Sequence, residues 1–186
     1  MSRIDDLIRN LCPDGVEYKS LGDLVQIKNG RDFKHLGEGD IPVYGSGGII
    51  AYVDTFASKE PSVLIPRKGS LNKLYFVEQP FWTVDTIFYT RIGAQLVPKF
   101  FFYFLKTVHL ERLNQAGGVP SLTQRTLNSI QVPVPPFEIQ KEVVRVLDSF
   151  TEFFTELEVE LEAELEARRK QYEYYRDRLL NFPERS

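Results

Sequence analysis

Cysteine, histidine and long apolar runs are all scarce in this chain, and each scarcity removes a class of function. The single cysteine, Cys12, excludes a disulfide framework and any zinc site built on cysteine. It also fits a reducing, cytoplasmic setting. The two histidines, His35 and His109, stand far apart with no acidic pattern beside either, so neither a catalytic triad nor a metal site is expected. No apolar stretch nears the roughly 18 residues that a membrane span requires. The opening Met1-Ser2-Arg3-Ile4-Asp5-Asp6 is polar from the start, so no signal peptide is predicted. What the chain does hold is 42% hydrophobic and 13% aromatic residues, enough for a real core and too much for disorder. At 186 residues it is long for one domain and short for two.

Glycine and proline are absent from one long stretch. All 12 glycines lie at or before Gly118, 10 of the 11 prolines lie at or before Pro136, and neither type occurs from Phe137 to Phe182. That stretch is rich in Glu, Leu, Arg and Tyr and predicts one long helix. Pro133-Val134-Pro135-Pro136 forms a stiff hinge before it, since each proline biases its predecessor away from helix. Charge divides at the same place. Residues 1–136 carry 15 Lys/Arg against 13 Asp/Glu, and residues 137–186 carry 8 against 13, so the net −3 averages two unlike segments. The expectation is an α+β protein: an irregular β-rich domain over residues 1–136, then a long helix over residues 137–186.

The helix carries a stripe at Leu147, Phe150, Phe154, Leu157, Leu161, Leu165, Arg168, Tyr172, Tyr175 and Leu179. The steps alternate between three and four, with one extra residue between Leu161 and Leu165 that relaxes a left-handed supercoil. A helix of this length, about 65 Å at 1.5 Å per residue, outreaches a small domain and needs a partner helix. Within the chain, only 99–115 shows another helical pattern, an ordinary domain helix after Pro98. The seam is therefore read as intermolecular, or as pairing with a missing second half. Seven glutamates fall between Glu152 and Glu166, and Arg168-Arg169-Lys170 follow, an order that favours antiparallel pairing. A solvated charged face remains open as the reading of any individual charge.

Before the hinge, short β-prone runs alternate with turn signals. The runs are 25–27, 41–44, 49–53, 62–65, 73–77 and 86–89; the turns include Asn29-Gly30, Gly45-Ser46-Gly47-Gly48 and Arg67-Lys68-Gly69-Ser70. Several fragments imitate catalytic motifs and fail on geometry. Asp14 and the Glu17-Tyr18-Lys19 string are too close together to hold a nuclease metal, and they read instead as a turn entering a strand. Val134-Pro135-Pro136-Phe137 has valine where an aminomethyltransferase needs a polar side chain. Gly45-Ser46-Gly47-Gly48 leads into a strand, so no helix N-terminus would face a phosphate. No cofactor, no metal and no enzymatic activity are expected.

A binding surface remains. Arg31, Lys34, Arg67, Lys68, Lys73, Arg91 and Arg125 lie in or beside loops, with Tyr44, Ser46, Asn72 and Gln124 among them. Arg and Lys neutralise phosphates or pair with guanine, while Asn and Gln bracket adenine. Trp82 and most phenylalanines are read as core.

The order of these features resembles the specificity subunit of type I restriction-modification systems. The resemblance is carried by Gly22-Asp23, by Ile41-Pro42-Val43-Tyr44-Gly45-Ser46-Gly47-Gly48-Ile49, by Ile65-Pro66-Arg67-Lys68-Gly69-Ser70 and by Trp82-Thr83-Val84-Asp85-Thr86. It continues through Leu127 to Ile130, the proline hinge, Gln140, and the terminal run from Arg168 to Leu180. The resemblance implies a non-catalytic reader of double-stranded DNA: two target-recognition domains held apart by two long antiparallel helices, which also dock methyltransferase subunits, with restriction subunits as a further partner. This chain supplies one such domain and one helix. It is then a half-subunit that dimerises, or half of a longer protein. A two-fold dimer implies identical half-sites in inverted orientation. The alternative is a coiled-coil adaptor that displays a ligand- or protein-binding α+β domain and has no DNA role.

Overall fold

The computed structural model describes residues 3–114 and 120–182. These divide into two compact units, one running to Val144 and the other starting at Arg145. The division falls two turns inside the long helix, not at the proline hinge, because the first helical turns are packed. Ile139, Gln140 and Glu142 are all buried.

The first unit begins with α1 (Arg3–Leu11), β1 (Tyr18–Ser20), α2 (Leu21–Leu24) and β2 (Val25–Asn29). Strands β3 (Ile41–Gly45), β4 (Gly48–Val53), β5 (Ser62–Pro66), β6 (Tyr75–Val77), β7 (Trp82–Thr83) and β8 (Ile87–Ile92) follow. Then come α3 (Pro98–Thr107), α4 (Gln124–Asn128), β9 (Gln131–Pro133) and the start of α5 (Phe137–Leu180). Three small sheets result: β1 with β9; β2-β8-β5-β6; and β4-β3-β7, where β3 and β7 run parallel. The α+β class and the long terminal helix match the sequence reading.

All six β-prone runs hold strands, with ends displaced by one to three residues, the most at β8, where pairing with β2 extends the strand to Ile92. β6 starts at Tyr75 because Lys73 and Leu74 are engaged in turns back to Ser70 and Asn72. The helix predicted at 99–115 is shorter. It stops at Thr107, since His109 takes a left-handed conformation (φ 53°) and the chain re-forms as a 3-10 turn over Leu110–Leu113. Gln115 lies outside the described residues. Helix α1 was not expected, although Ile4, Leu7, Ile8 and Leu11 carry its spacing and Asp5 and Asp6 suit its first turn.

The main core lies over the four-stranded sheet. Val25 and Ile27 of β2, Val63 and Ile65 of β5 and Phe88 of β8 pack with Phe100, Phe101 and Leu105 of α3. A second cluster, Tyr44, Leu64, Val77, Phe81 and Ile87, uses the opposite faces of the same strands and joins that sheet to β3. Continuous burial along β5 follows from these two cores, one on each face. The root of α5 is tied down by one side chain. Gln140, 1% exposed, accepts from the Val97 amide at 2.7 Å and donates to the Gln95 and Pro135 carbonyls at 2.9 Å each. An orphaned buried amide here would cost about 1–3 kcal/mol.

The second unit is the rest of α5, whose full 44 residues measure about 66 Å. Every described residue from Ser149 onward is exposed. Phe150 is 56% exposed, Leu161 57% and Leu179 70%. From Glu156 to Ala167 the pattern alternates Glu with an apolar residue, a strand-like period. Glu, Leu and Ala are strong helix formers, and no turn residue interrupts them, so helix prevails.

Candidate nucleic-acid interface

Tyr44 lies in β3, Arg91 in β8 and Gln124 and Arg125 in α4, whereas the other candidates are loop-borne and depend on what fixes the loops. At one end of the four-stranded sheet, three loops meet around Thr86. Its carbonyl accepts from the amides of Arg67 (2.9 Å) and Lys68 (3.4 Å), and its hydroxyl accepts from the Ser46 amide at 3.3 Å. The segment before α4 closes the group. The Leu122 amide donates to the Arg67 carbonyl and the Gly69 amide to the Pro120 carbonyl, while Lys68 bridges to Ser121. Gly69 sits at φ 82°, where a side chain would be strained, which lets this loop turn tightly beside Ser46. The Tyr75 hydroxyl donates to the Ser46 carbonyl at 3.4 Å.

Ser46, Arg67 and Lys68 are thus brought together, with Asn72 and Lys73 exposed further along the same loop. Gln124, on α4, donates to Asn29 at the end of β2 at 3.3 Å, and Arg125 beside it is exposed. The Arg67 guanidinium lies 5.8 Å from the centre of the Phe88 ring, a cation–π distance.

Asn29 links this group to a second one. Arg31 and Arg91 line a cleft with Asn29, Phe56, Trp82 and Tyr89, of about 260 Å³. Gly30 permits it, because a Cβ there would overlap the Val84 carbonyl. Arg91 stands opposite Gln26, and Tyr89 opposite Lys28, on the sheet face that also carries the second core. Below the cleft the Thr83 hydroxyl is buried without a hydrogen-bond partner among the described residues.

Two candidates stand apart. Lys34 is exposed in the loop after β2, and no described contact brings it to either group. Tyr44 is 9% exposed and belongs to the second core, its ring 5.8 Å from that of Tyr75. Burial, reinforced by Tyr52 and Tyr75, raises its hydroxyl above the ordinary value of 10.0, so it stays protonated. Sequence reading also passed over Asn29, Thr86, Tyr89 and Phe56. Asn29 registered only as half of a turn signal, and its partner Gln124 lies 95 positions away.

Electrostatics leave the candidate cations available to an anion. Among the described residues, Arg31, Lys34, Arg67, Lys68, Lys73, Arg91 and Arg125 form no ion pair, a freedom they share with Lys28, Lys59, Lys106, Arg112, Lys141, Arg169 and Arg178, so position and not charge alone singles them out. Cations left without carboxylates are free to meet an anionic partner.

Residues 13–167 match the family model described as the type I restriction modification DNA specificity domain. The chain belongs to that family. As a type I specificity relative, it is 34% identical over 181 residues to a putative type I restriction enzyme specificity subunit of Haemophilus influenzae, covering 91% of this chain and 47% of that one. A putative type I specificity subunit of Mycoplasma pneumoniae is 27% identical, over 94% of this chain and 61% of its own length. The chain therefore spans about half the length of the first curated relatives. The separate N-terminal portion of another Mycoplasma pneumoniae specificity subunit is 34% identical and is matched over 95% of its length. Among solved structures, the S subunit of a type I restriction-modification system from M. genitalium superposes with TM-score 0.66 at 21% identity, over 99% of this chain and 49% of that one. The HsdS subunit of Thermoanaerobacter tengcongensis gives TM-score 0.61 at 17% identity, over 83% and 44%. The specificity-subunit fold is shared along nearly the whole of this chain.

Proposed function

We propose that this chain is the sequence-reading component of a type I restriction-modification complex: it has no catalysis of its own and directs methyltransferase and restriction subunits to a bipartite site in double-stranded DNA in the cytoplasm. The observation that carries this reading is the set of unpaired basic residues on loops pinned around Thr86 and around the Arg31–Arg91 cleft, in a chain whose family is defined by DNA specificity. Pinned loops suit recognition, because side chains held before binding lose less entropy when they meet DNA.

The working form in this proposal is a homodimer of half-subunits. Its support is the exposed stripe on α5, which leaves Phe150, Phe154, Leu157, Leu161 and Leu165 in solvent, far more apolar surface than a lone helix sustains. The methyltransferase subunits would dock on the same helix region.

Gel shifts with duplex DNA, with and without the methyltransferase subunits and at two salt concentrations, test the reading. Specific retardation that weakens with salt and is strengthened by the methyltransferase is expected. If no duplex is retained under any condition while another protein is captured by the β-rich unit, the adaptor reading replaces this one.

A further inference from the structure

We propose that the cleft between the end of β2 and strands β7 and β8 seats one phosphodiester of a DNA strand, clamped by Arg31 and Arg91. This rests on the DNA-reading function above and separates its basic residues into two kinds.

Shape supports the assignment. Duplex DNA presents its phosphates as ridges and its base edges on the floors of grooves. A concave site meets a ridge, whereas exposed loops such as 67–73 and the β3–β4 turn are the parts able to reach a floor. A cleft of about 260 Å³ has room for a phosphate with its adjoining sugar.

Chemistry points the same way. Both arginines are exposed and form no ion pair among the described residues, so two guanidiniums border one recess without a carboxylate to answer them. Guanidinium forks match phosphate oxygens in pairs. The Arg31 backbone is held on both sides before any ligand arrives: its amide donates to the Thr83 carbonyl at 2.8 Å, and its carbonyl accepts from the Trp82 indole at 3.0 Å. Asn29 accepts from Gln124 through its side-chain oxygen, which leaves its NH2 group to donate to a phosphate oxygen. Phe56, 47% exposed, and Tyr89 offer apolar faces on which a deoxyribose can rest.

The clamp positions the duplex and carries no sequence information. Asn72 on loop 67–73 and Gln124 remain as groups able to read bases.

The test uses Arg31→Ala, Arg91→Ala and the double variant, in the full chain assembled with its methyltransferase subunits. Binding is measured to a cognate and a scrambled duplex across a salt series. Each single change should weaken both duplexes by the same factor, roughly ten- to a hundredfold for a lost charged hydrogen bond. The double variant should lose about 0.9 from the slope of log affinity against log salt, and the methylated sites should be unchanged. Trp82, the only tryptophan of this chain, gives a second readout from the cleft, taken as the emission difference from a Trp82→Phe complex. Its emission should respond to duplex in the unaltered complex and not in the double variant. A loss confined to the cognate duplex would make these arginines base readers and overturn the clamp. Unchanged affinity and emission would remove the cleft from the interface. If inorganic phosphate moved Trp82 emission at lower concentration than duplex does, the site would belong to a free anion. An unaltered complex that bound neither duplex would sink the DNA-reading function itself, and the clamp with it.

Discussion

Thr86 takes the Arg67 and Lys68 amides on its carbonyl and the Ser46 amide on its hydroxyl, so one uncharged residue orders the two loops that carry Ser46 and Arg67 to Lys73. Around it the polar side chains differ in what they can do. Lys68 is exposed, forms no ion pair among the described residues and presents a mobile point charge, which suits a phosphate. Gln124 is half-buried and already oriented by Asn29, and its amide can address one base edge. Lys68→Ala should therefore weaken binding to all sequences and flatten the salt dependence by about one unit. Gln124→Ala should relax the preference at one base position, worth about 1–3 kcal/mol, with little change in salt slope. Affinities measured over a library of site variants separate the two. Neither substitution removes a buried group, so both proteins should melt as the parent does. If both left affinity and preference unchanged, the loop assignment would be discarded.

At the scale of elements, α5 poses the sharper question, since its stripe is nearly its own mirror image. Run antiparallel to a second copy, it sets Phe150 against Leu179, Phe154 against Tyr175, Leu157 against Tyr172 and Leu161 against the stem of Arg168. The two-fold then falls beside Leu165. Arg169 of one helix lies near Glu160 of the other, which adds charge complementarity at the rim. Replacing Phe154 and Leu157 by Asp should leave a folded but monomeric protein, as read by circular dichroism and light scattering. In a Cys12→Ala background, Leu165→Cys should be joined to its copy by a short thiol crosslinker, whereas Phe154→Cys should not. A surviving dimer in the first case, or the reverse crosslinking order in the second, would refute this register.

The helix was legible because absence is a local signal: no glycine or proline from Phe137 to Phe182, and a stripe written in consecutive turns. The strands were legible for the same reason, as short β-branched runs between turn residues. The packing of the helix root was not. Gln140 reads as one more polar helical residue until its bonds to Val97, Gln95 and Pro135 are seen. The candidate site was legible as residue types and not as a constellation. The amide of Asn29 meets that of Gln124 only after β2 and α4 are folded, and Tyr44 passed for a contact because alternation along β3 does not reveal a core on both sides.

For the whole molecule, the contrast between its two segments is informative. One slightly basic β-rich unit and one acidic helix with an uncovered stripe make up about half of the curated relatives it first matches. Two copies related by a two-fold axis would restore the missing half, and symmetry would then pass from protein to DNA, with each unit reading the same bases in opposite orientation. The spacer between half-sites would follow from the helix length and the register proposed for α5, so it should be constant across all sites. Mapping methylated positions across the genome of cells expressing this chain with its methyltransferase subunits as the only such system tests this most directly. The account predicts a single split palindrome with a fixed spacer. An asymmetric bipartite site would contradict the homodimer, and methylation that persisted unchanged without the chain would contradict its role as reader.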